Sequence, residues 1–498
     1  MFEAAPVCRL SILWTLIVTH WAHILAVVST LIAAVAAAHA AMTKDEVRAA
    51  IGWVGVILLS PLVGALLYAV AGINRIRRVS IAAERSAAGH EALEHPRFDA
   101  TSGAVATRFG RRFAALKIAG DRITHHALTT ANTITKLDTG DEAYAAMIAA
   151  ISAAQRSVVL ETYIFDRDPI GLRFADALID AARRGVAVRV LIDAVGARYS
   201  VPSIVGHLSD SGVTTRVFNG RIISGLRLPY ANLRTHRKIL VVDGTVGFAG
   251  GMNIRQGFTA EFAGADMAHD THFRIEGPVI ADIFSVAAED WYFASGERLH
   301  GDAWLIASEA TADPGSPMFM RALPSGPDAS LEANHKMLMA AFSIARRSIR
   351  IMSPYFLPDR ELISALTTAA RRGIDIDIVV PSANNLVLVD RAMTAQFDQV
   401  VRSYCRVWRA QGPFDHSKLL VVDSIWVFVG SSNLDPRSLR LNFEIDLEVL
   451  DAGFATRIER RIDAAIGSAV EVTLGSLHAR PFLERLINRI LWLGSPYL

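Results

Sequence analysis

Thr235-His236-Arg237-Lys238-Ile239-Leu240-Val241-Val242-Asp243 is followed, after six residues, by Gly250-Gly251-Met252-Asn253. Asp415-His416-Ser417-Lys418-Leu419-Leu420-Val421-Val422-Asp423 is followed, after the same interval, by Gly430-Ser431-Ser432-Asn433. At average residue frequencies one such pattern arises on the order of once in 10^5 chains of this length. Two copies exclude chance. Side chains two apart in a strand share a face, which pairs His236 with Lys238 and His416 with Lys418. The apolar runs Ile239 to Val242 and Leu419 to Val422 then read as buried central strands.

Upstream of each copy lies a second similarity. Ser157 to Phe165 reads as a buried strand, a helical stretch ends at Arg183-Arg184-Gly185, and Val186 to Ile192 is a further strand. Ser348 to Phe356, a helix ending at Arg371-Arg372-Gly373, and Ile374 to Val380 repeat the plan. Glycine closes both helices, where a left-handed cap is favoured. Strand, helix and strand in that order predict βαβ units and a parallel or mixed sheet flanked by helices. The expected fold is therefore α/β, with two similar lobes at 135–310 and 311–498 related by a pseudo-twofold axis.

Packed about such an axis, the motifs bring two histidines, two lysines and two asparagines to one interface. That set suits a phosphodiester, with cations and donors for its oxygens and imidazoles for attack and protonation. The expected catalytic set is His236, Lys238, Asp243, His416, Lys418 and Asp423. The two aspartates also suit a turn, since Gly244 and Ser424 follow them. Asn253, Asn433, Gly251 and Ser431 are expected to bind phosphate, the small residues by letting backbone come close. The remaining histidines, His20, His23, His125, His126 and His335 among them, show no metal-ligand pattern. No metal and no cofactor is expected.

The chain is 52% hydrophobic, and the surplus is concentrated in the first 75 residues. No charged residue lies between Arg9 and Lys44, more than the ~20 apolar residues a crossing requires. Ile24 to Met42 is the best window, and Ala49 to Ile73, with Pro61 inside it, is expected to be a second span. The predicted anchor, residues 1–78, is thus a transmembrane helical hairpin. A cleaved signal peptide ending near Ala38-His39-Ala40 is the other reading, against which stand the single Arg9 and the length of the apolar run. Arg75, Arg77, Arg78 and Arg85 follow the second stretch, so the positive-inside rule puts the lobes in the cytoplasm of a multi-pass inner-membrane protein. Residues 79–134 read as a juxtamembrane linker. Val105, Phe109, Phe113 and Leu116 beside Arg108, Arg111, Arg112 and Lys117 suit a packed helix or an amphipathic one on anionic lipid. Cys8 and Cys405 are the chain's two cysteines, which excludes a disulfide framework. A net charge of +2 gives no footprint for nucleic acid.

The duplicated motif resembles the HKD motif of the phospholipase D superfamily, and further stretches resemble bacterial cardiolipin synthases. These are Ser60-Pro61-Leu62-Val63-Gly64, Glu161-Thr162-Tyr163-Ile164-Phe165, Asp270-Thr271-His272, Asn433 to Ser438, and Leu441-Asn442-Phe443-Glu444. Ile254-Arg255-Gln256-Gly257 departs from the Ile-Gly-Asp-Glu run of many members. The resemblance implies transfer of a phosphatidyl group between two phosphatidylglycerols, giving cardiolipin and glycerol through a phosphohistidine. It implies His236 as nucleophile and His416 as acid and base, with Asp270 and Glu444 as candidates to orient the imidazoles. It implies phospholipid substrates and the bilayer as partners, with hydrolysis or another alcohol acceptor as the alternative. A homo-oligomer is compatible with the sequence.

Overall fold

A computed structural model describes residues 7–44, 46–73, 85, 97–219, 233–307, 311–316 and 318–495. Two compact units divide it, residues 1–76 and 77–498.

In the larger unit the repeated motifs form the two halves of one mixed sheet, sixteen strands among the described residues. The first half holds β1 (Thr129–Leu137), β2 (Ser157–Thr162), β3 (Ala187–Asp193), β4 (Thr214–Phe218), β5 (Arg234–Thr235), β6 (Ile239–Val242), β7 (Val246–Gly250) and β8 (His272–Glu276). The second holds β9 (Met318–Ser325), β10 (Ser348–Met352), β11 (Asp375–Pro381), β12 (Arg406–Ala410), β13 (Leu419–Val422), β14 (Trp426–Gly430), β15 (Asn442–Leu450) and β16 (Ala469–Val472). Outward from the centre one half runs β1-β8-β7-β6-β2-β3-β4, and the other runs β9-β15-β14-β13-β10-β11-β12. The two orders match strand for strand, and β16 extends the second edge. β1 and β9 pair antiparallel, as strands exchanged by a twofold must. The lobes expected from sequence are therefore continuous through that pair.

The crossover helices form where the sequence places them. Asp168 caps Pro169–Arg183 by accepting from Gly171 N, and Asp359 caps Arg360–Arg371 by accepting from Leu362 N. Gly185 and Gly373 follow with φ of 91° and 85°, a conformation open to glycine. Phe174 and Leu178 on one helix, and Leu362 and Leu366 on the other, are buried against the sheet. Each stabilises the unit by about 1.5–3 kcal/mol.

Helices Ser102–Phe109 and Arg111–Thr124 bury Val105, Phe113 and Leu116 in the core of the second half, beside Leu338, Phe342 and Ile349. Their apolar stripe faces protein rather than lipid.

The anchor differs from expectation. Helix Val7–Thr43 contains the stretch Val18–Thr43, long and apolar enough to cross a membrane. The expected second span is instead two short helices, Val47–Leu59 and Pro61–Leu67, the latter running on to Gly72. Proline has no N–H and its ring clashes with the carbonyl four residues back, so helix stops at Ser60 (φ −143°, ψ 80°). A Cβ at Gly64 would lie 2.3 Å from Val56 O, so the two pieces press closely together.

Because Phe113 is wholly enclosed, Phe113→Ala should destabilise the larger unit by about 3–5 kcal/mol. A thermal melt in detergent reads this; a midpoint unchanged within error would return the helix to the surface.

Candidate active site

His236 and His416 sit just before β6 and β13, in extended chain tied to the opposite half. His236 N donates to Phe443 O at 2.8 Å, and His416 N donates to His269 O at 2.7 Å. The side chains follow the same exchange. Nδ1 of His236 lies 3.0 Å from Glu444 Oε2, and Nδ1 of His416 lies 2.8 Å from Asp270 Oδ2. Each half thus supplies the carboxylate that orients the other half's imidazole. A proton on Nδ1 facing the carboxylate leaves Nε2 as the reactive nitrogen.

Lys238 Nζ donates to His236 O at 2.6 Å, and Lys418 Nζ donates to His416 O. Both lysines, both histidines and both carboxylates are buried. Burial pushes His236 down, with Lys238 adding and Glu444 opposing. Burial and then Lys418 push His416 down to about 4, so both rings are neutral near pH 7. Burial, followed by the charge of Lys418, pushes Lys238 down to about 7. Burial works to raise Asp270 and Glu444, but the facing lysines and histidines outweigh it and hold both below the carboxylate range.

His236 and His416 open together into a cavity of about 650 Å³ that Asn253 and Asn433 also line. Asn253 Oδ1 accepts from Ile164 N at 3.1 Å, so what it can offer a ligand is its amide NH2. Asn433 Oδ1 is buried without a hydrogen-bond partner among the described residues.

Four expected residues are placed otherwise. Asp243 and Asp423 close the far ends of β6 and β13, five residues and roughly 16 Å of strand beyond the lysines. Asp243 accepts from the N–H groups of Gln155, Arg156 and Ser157, at 2.9, 2.7 and 2.9 Å. Asp423 does the same for Arg346, Arg347 and Ser348, at 2.9, 2.7 and 3.0 Å. Both aspartates lock the loops that lead into β2 and β10, and neither lines the cavity. Gly251 and Ser431 attend the carboxylates rather than a ligand. A Cβ at Gly251 would lie 2.5 Å from Asp270 Oδ1, and Ser431 Oγ donates to Glu444 Oε2 at 2.6 Å.

The sequence reading missed other residues at the site. Tyr163 stands over His236 with ring centres 5.2 Å apart, and Tyr355 stands 6.1 Å from His416. They occupy adjacent rather than equivalent places after the repeated strands, Tyr163 aligning with Pro354 and Tyr355 with Ile164, so the repeat gave no signal for them. Arg167, Arg234, Arg255 and Arg437 add positive charge to the cavity wall. Buried Arg237, between His236 and Lys238, donates to Glu444 O at 2.9 Å and so fixes the carboxylate's backbone.

These placements separate two kinds of aspartate. Asp423→Ala orphans three N–H groups and should lower stability by about 2–4 kcal/mol, leaving turnover per folded molecule intact. Asp270→Asn and Glu444→Gln should keep the melting temperature within a few degrees and lower turnover by about 10²-fold or more. Thermal melts paired with activity per folded molecule check both; the reverse pattern would refute the assignment.

The family model described as cardiolipin synthase, PLD-like domain matches residues 147–289 and 338–466, one segment in each half. A second model, phospholipase D-nuclease N-terminal, matches residues 31–72. The cardiolipin synthase A of Pseudomonas putida (strain GB-1) is 34% identical over 94% of this chain and 96% of its own. The cardiolipin synthase of Alkalihalophilus pseudofirmus is 34% identical over 73% of this chain and 71% of its own. Among solved structures, phosphatidylserine synthase of Haemophilus influenzae Rd KW20 superposes with a TM-score of 0.59 at 16% identity, over 77% of this chain and all of that one. That likeness shows the shared fold. The chain belongs to the cardiolipin synthase family of phospholipase D-like proteins.

Proposed function

We propose that this chain is a phosphatidyltransferase that joins two phosphatidylglycerol molecules into cardiolipin and releases glycerol. The observation that carries the reading is the reciprocal arrangement of the site: two imidazoles, each held by the other half's carboxylate, opening on one cavity. The names of the relatives that match nearly end to end support the same reaction.

His236 Nε2 attacks the phosphorus of the first lipid, forming an N–P bond as the P–O bond to glycerol breaks. His416 supplies the proton that the departing glycerol oxygen takes up. The neutral His416 then accepts a proton from the hydroxyl of the second lipid, whose oxygen attacks phosphorus and releases His236. Lys238, Lys418 and the amides of Asn253 and Asn433 hold the phosphoryl oxygens. An incoming phosphate brings negative charge between two depressed lysines and a depressed imidazole, and so favours the protonated forms the first step requires.

The cavity suits a lipid. Leu357, Leu386, Val389 and Phe414 lie on its wall with the arginines. Ser495, also on the wall, lies two residues beyond the helix Phe482–Leu493, whose Phe482, Leu483, Leu486, Ile490 and Leu493 are exposed. Basic residues beside the anchor support a cytoplasmic position for the body.

Purified protein given phosphatidylglycerol alone should produce cardiolipin and glycerol by mass spectrometry. Phosphatidic acid as the main product would replace the proposal with hydrolysis. His236→Ala and His416→Ala should each lower the rate at least ~10³-fold; full activity in both would dismiss the two-histidine route. With Lys238 titrating near 7 in the empty enzyme, kcat/KM should fall as pH rises through about 7, where the ammonium is lost. Lys238→Arg stays charged, so it should lower the overall rate yet shift that alkaline limb upward by about one pH unit or more. An unmoved limb would assign the titration to another group.

A further inference from the structure

The second apolar stretch of the anchor does not run in one direction. Val47–Leu59 is 13 residues, about 20 Å of helix, against ~30 Å of bilayer hydrocarbon. A straight helix would carry Gly72 about 37 Å from Val47. Instead Gly72 is beside the start of the stretch, where its carbonyl accepts from Lys44 Nζ at 2.5 Å. Tyr68 Oη lies 2.7 Å from His39 Nδ1 and 3.3 Å from Thr43 Oγ1, at the C-terminal end of the long helix. The rings of Trp53 and Tyr68, one on each arm, are 5.4 Å apart.

The arms close on each other and on the long helix through Ala33, Ala40, Ile57 and Tyr68. Their outer faces expose Leu58, Leu59, Val63, Leu66 and Val70. At the bend Ser60 N donates to Val56 O, and Gly64 N donates to Ser60 O, so these two N–H groups are satisfied without water.

We propose that helix Val7–Thr43 is the anchor's single crossing and that Val47–Gly72 is a re-entrant wedge. Its partner is the acyl chains of one leaflet, the leaflet on the side of Lys44. The chain then leaves the anchor on the face where the crossing helix ended, and the N-terminus lies across the membrane. Lys44 and Arg48 then lie on the face from which the sequence continues into Arg75, Arg77 and Arg78, and Arg9 precedes the crossing. Two full crossings would divide the five. The positive-inside rule makes the basic face cytoplasmic. The inference rests on the anchor and not on the reaction, so an error in the proposed chemistry would leave it standing.

Cysteine labelling of the full-length protein in spheroplasts tests it, because Cys405 is buried and Cys8 marks the N-terminal side. An impermeant maleimide should label Cys8 in intact spheroplasts. In a Cys8→Ser background, Glu46→Cys should label only after permeabilisation, as should Thr101→Cys in the body. Labelling of Glu46→Cys from outside, or a Cys8 shielded until permeabilisation, overturns the single crossing. A fluorophore on Val63→Cys should be quenched by lipids carrying spin labels in their acyl chains. Disulfide cross-linking between two copies at Val63→Cys, in place of quenching, would give that face to a second copy and overturn the leaflet as its partner.

Discussion

Pairing of β1 with β9 is the constraint from which the site follows. An antiparallel pair at the centre of a duplicated sheet places equivalent residues of the two halves on either side of a twofold. β8 and β15, which flank the pair, carry the approach of Asp270 and Glu444 to the centre, and the histidine strands lie two places further out. Each carboxylate therefore meets the histidine of the other half, and neither half holds a complete histidine–carboxylate pair. On the proposed mechanism activity depends on the halves being joined, which a continuous sheet secures more firmly than a lobe interface would.

Two carboxylates, two lysines and two imidazoles are removed from water around this centre, which is expensive unless the charges are paired. Pairing is met within the set, since each lysine faces both carboxylates and each carboxylate faces an imidazole. The strain of burial falls on the cations, whose affinities for protons are depressed. On the proposed reading a phosphodiester relieves it by adding negative charge that favours the protonated lysines and imidazole. A site that is uncomfortable when empty and balanced when filled binds the charge that develops in transfer more strongly than it binds a neutral group.

What could be read from the sequence was whatever repeats or alternates. The HxK spacing marks the two site strands and the strand–helix–Gly–strand units mark the sheet, while Asp270 and Glu444 are legible only through the family resemblance. Their partners across the dyad were beyond a linear reading, because pairing between halves has no local signature. Asp243 and Asp423 misled because a residue in a motif need not touch the ligand; a four-residue strand carries it to the opposite edge. Gly251 and Ser431 illustrate a sound inference with the wrong neighbour. Close approach does demand small residues there, but what approaches is a carboxylate. In the anchor, hydropathy counted apolar residues correctly and could not report direction, whereas Pro61 and Gly64 turn the chain back.

Duplication yields two equal half-sites, while the double displacement proposed above would assign them unequal work, one imidazole bonding to phosphorus and the other moving protons. The structure already departs from symmetry where that difference would be set. Glu444 accepts from Ser431 Oγ and from Asn442 Nδ2 as well as facing His236. Asp270, with Gly251 in the place of Ser431, accepts from Thr271 N and faces His416. Lys418 Nζ also lies 2.8 Å from His416 Nδ1, and its charge adds to burial in pushing His416 down to about 4. Ser431 against Gly251, and Lys418 against the ring, thus give two otherwise equivalent histidines different electrostatic surroundings.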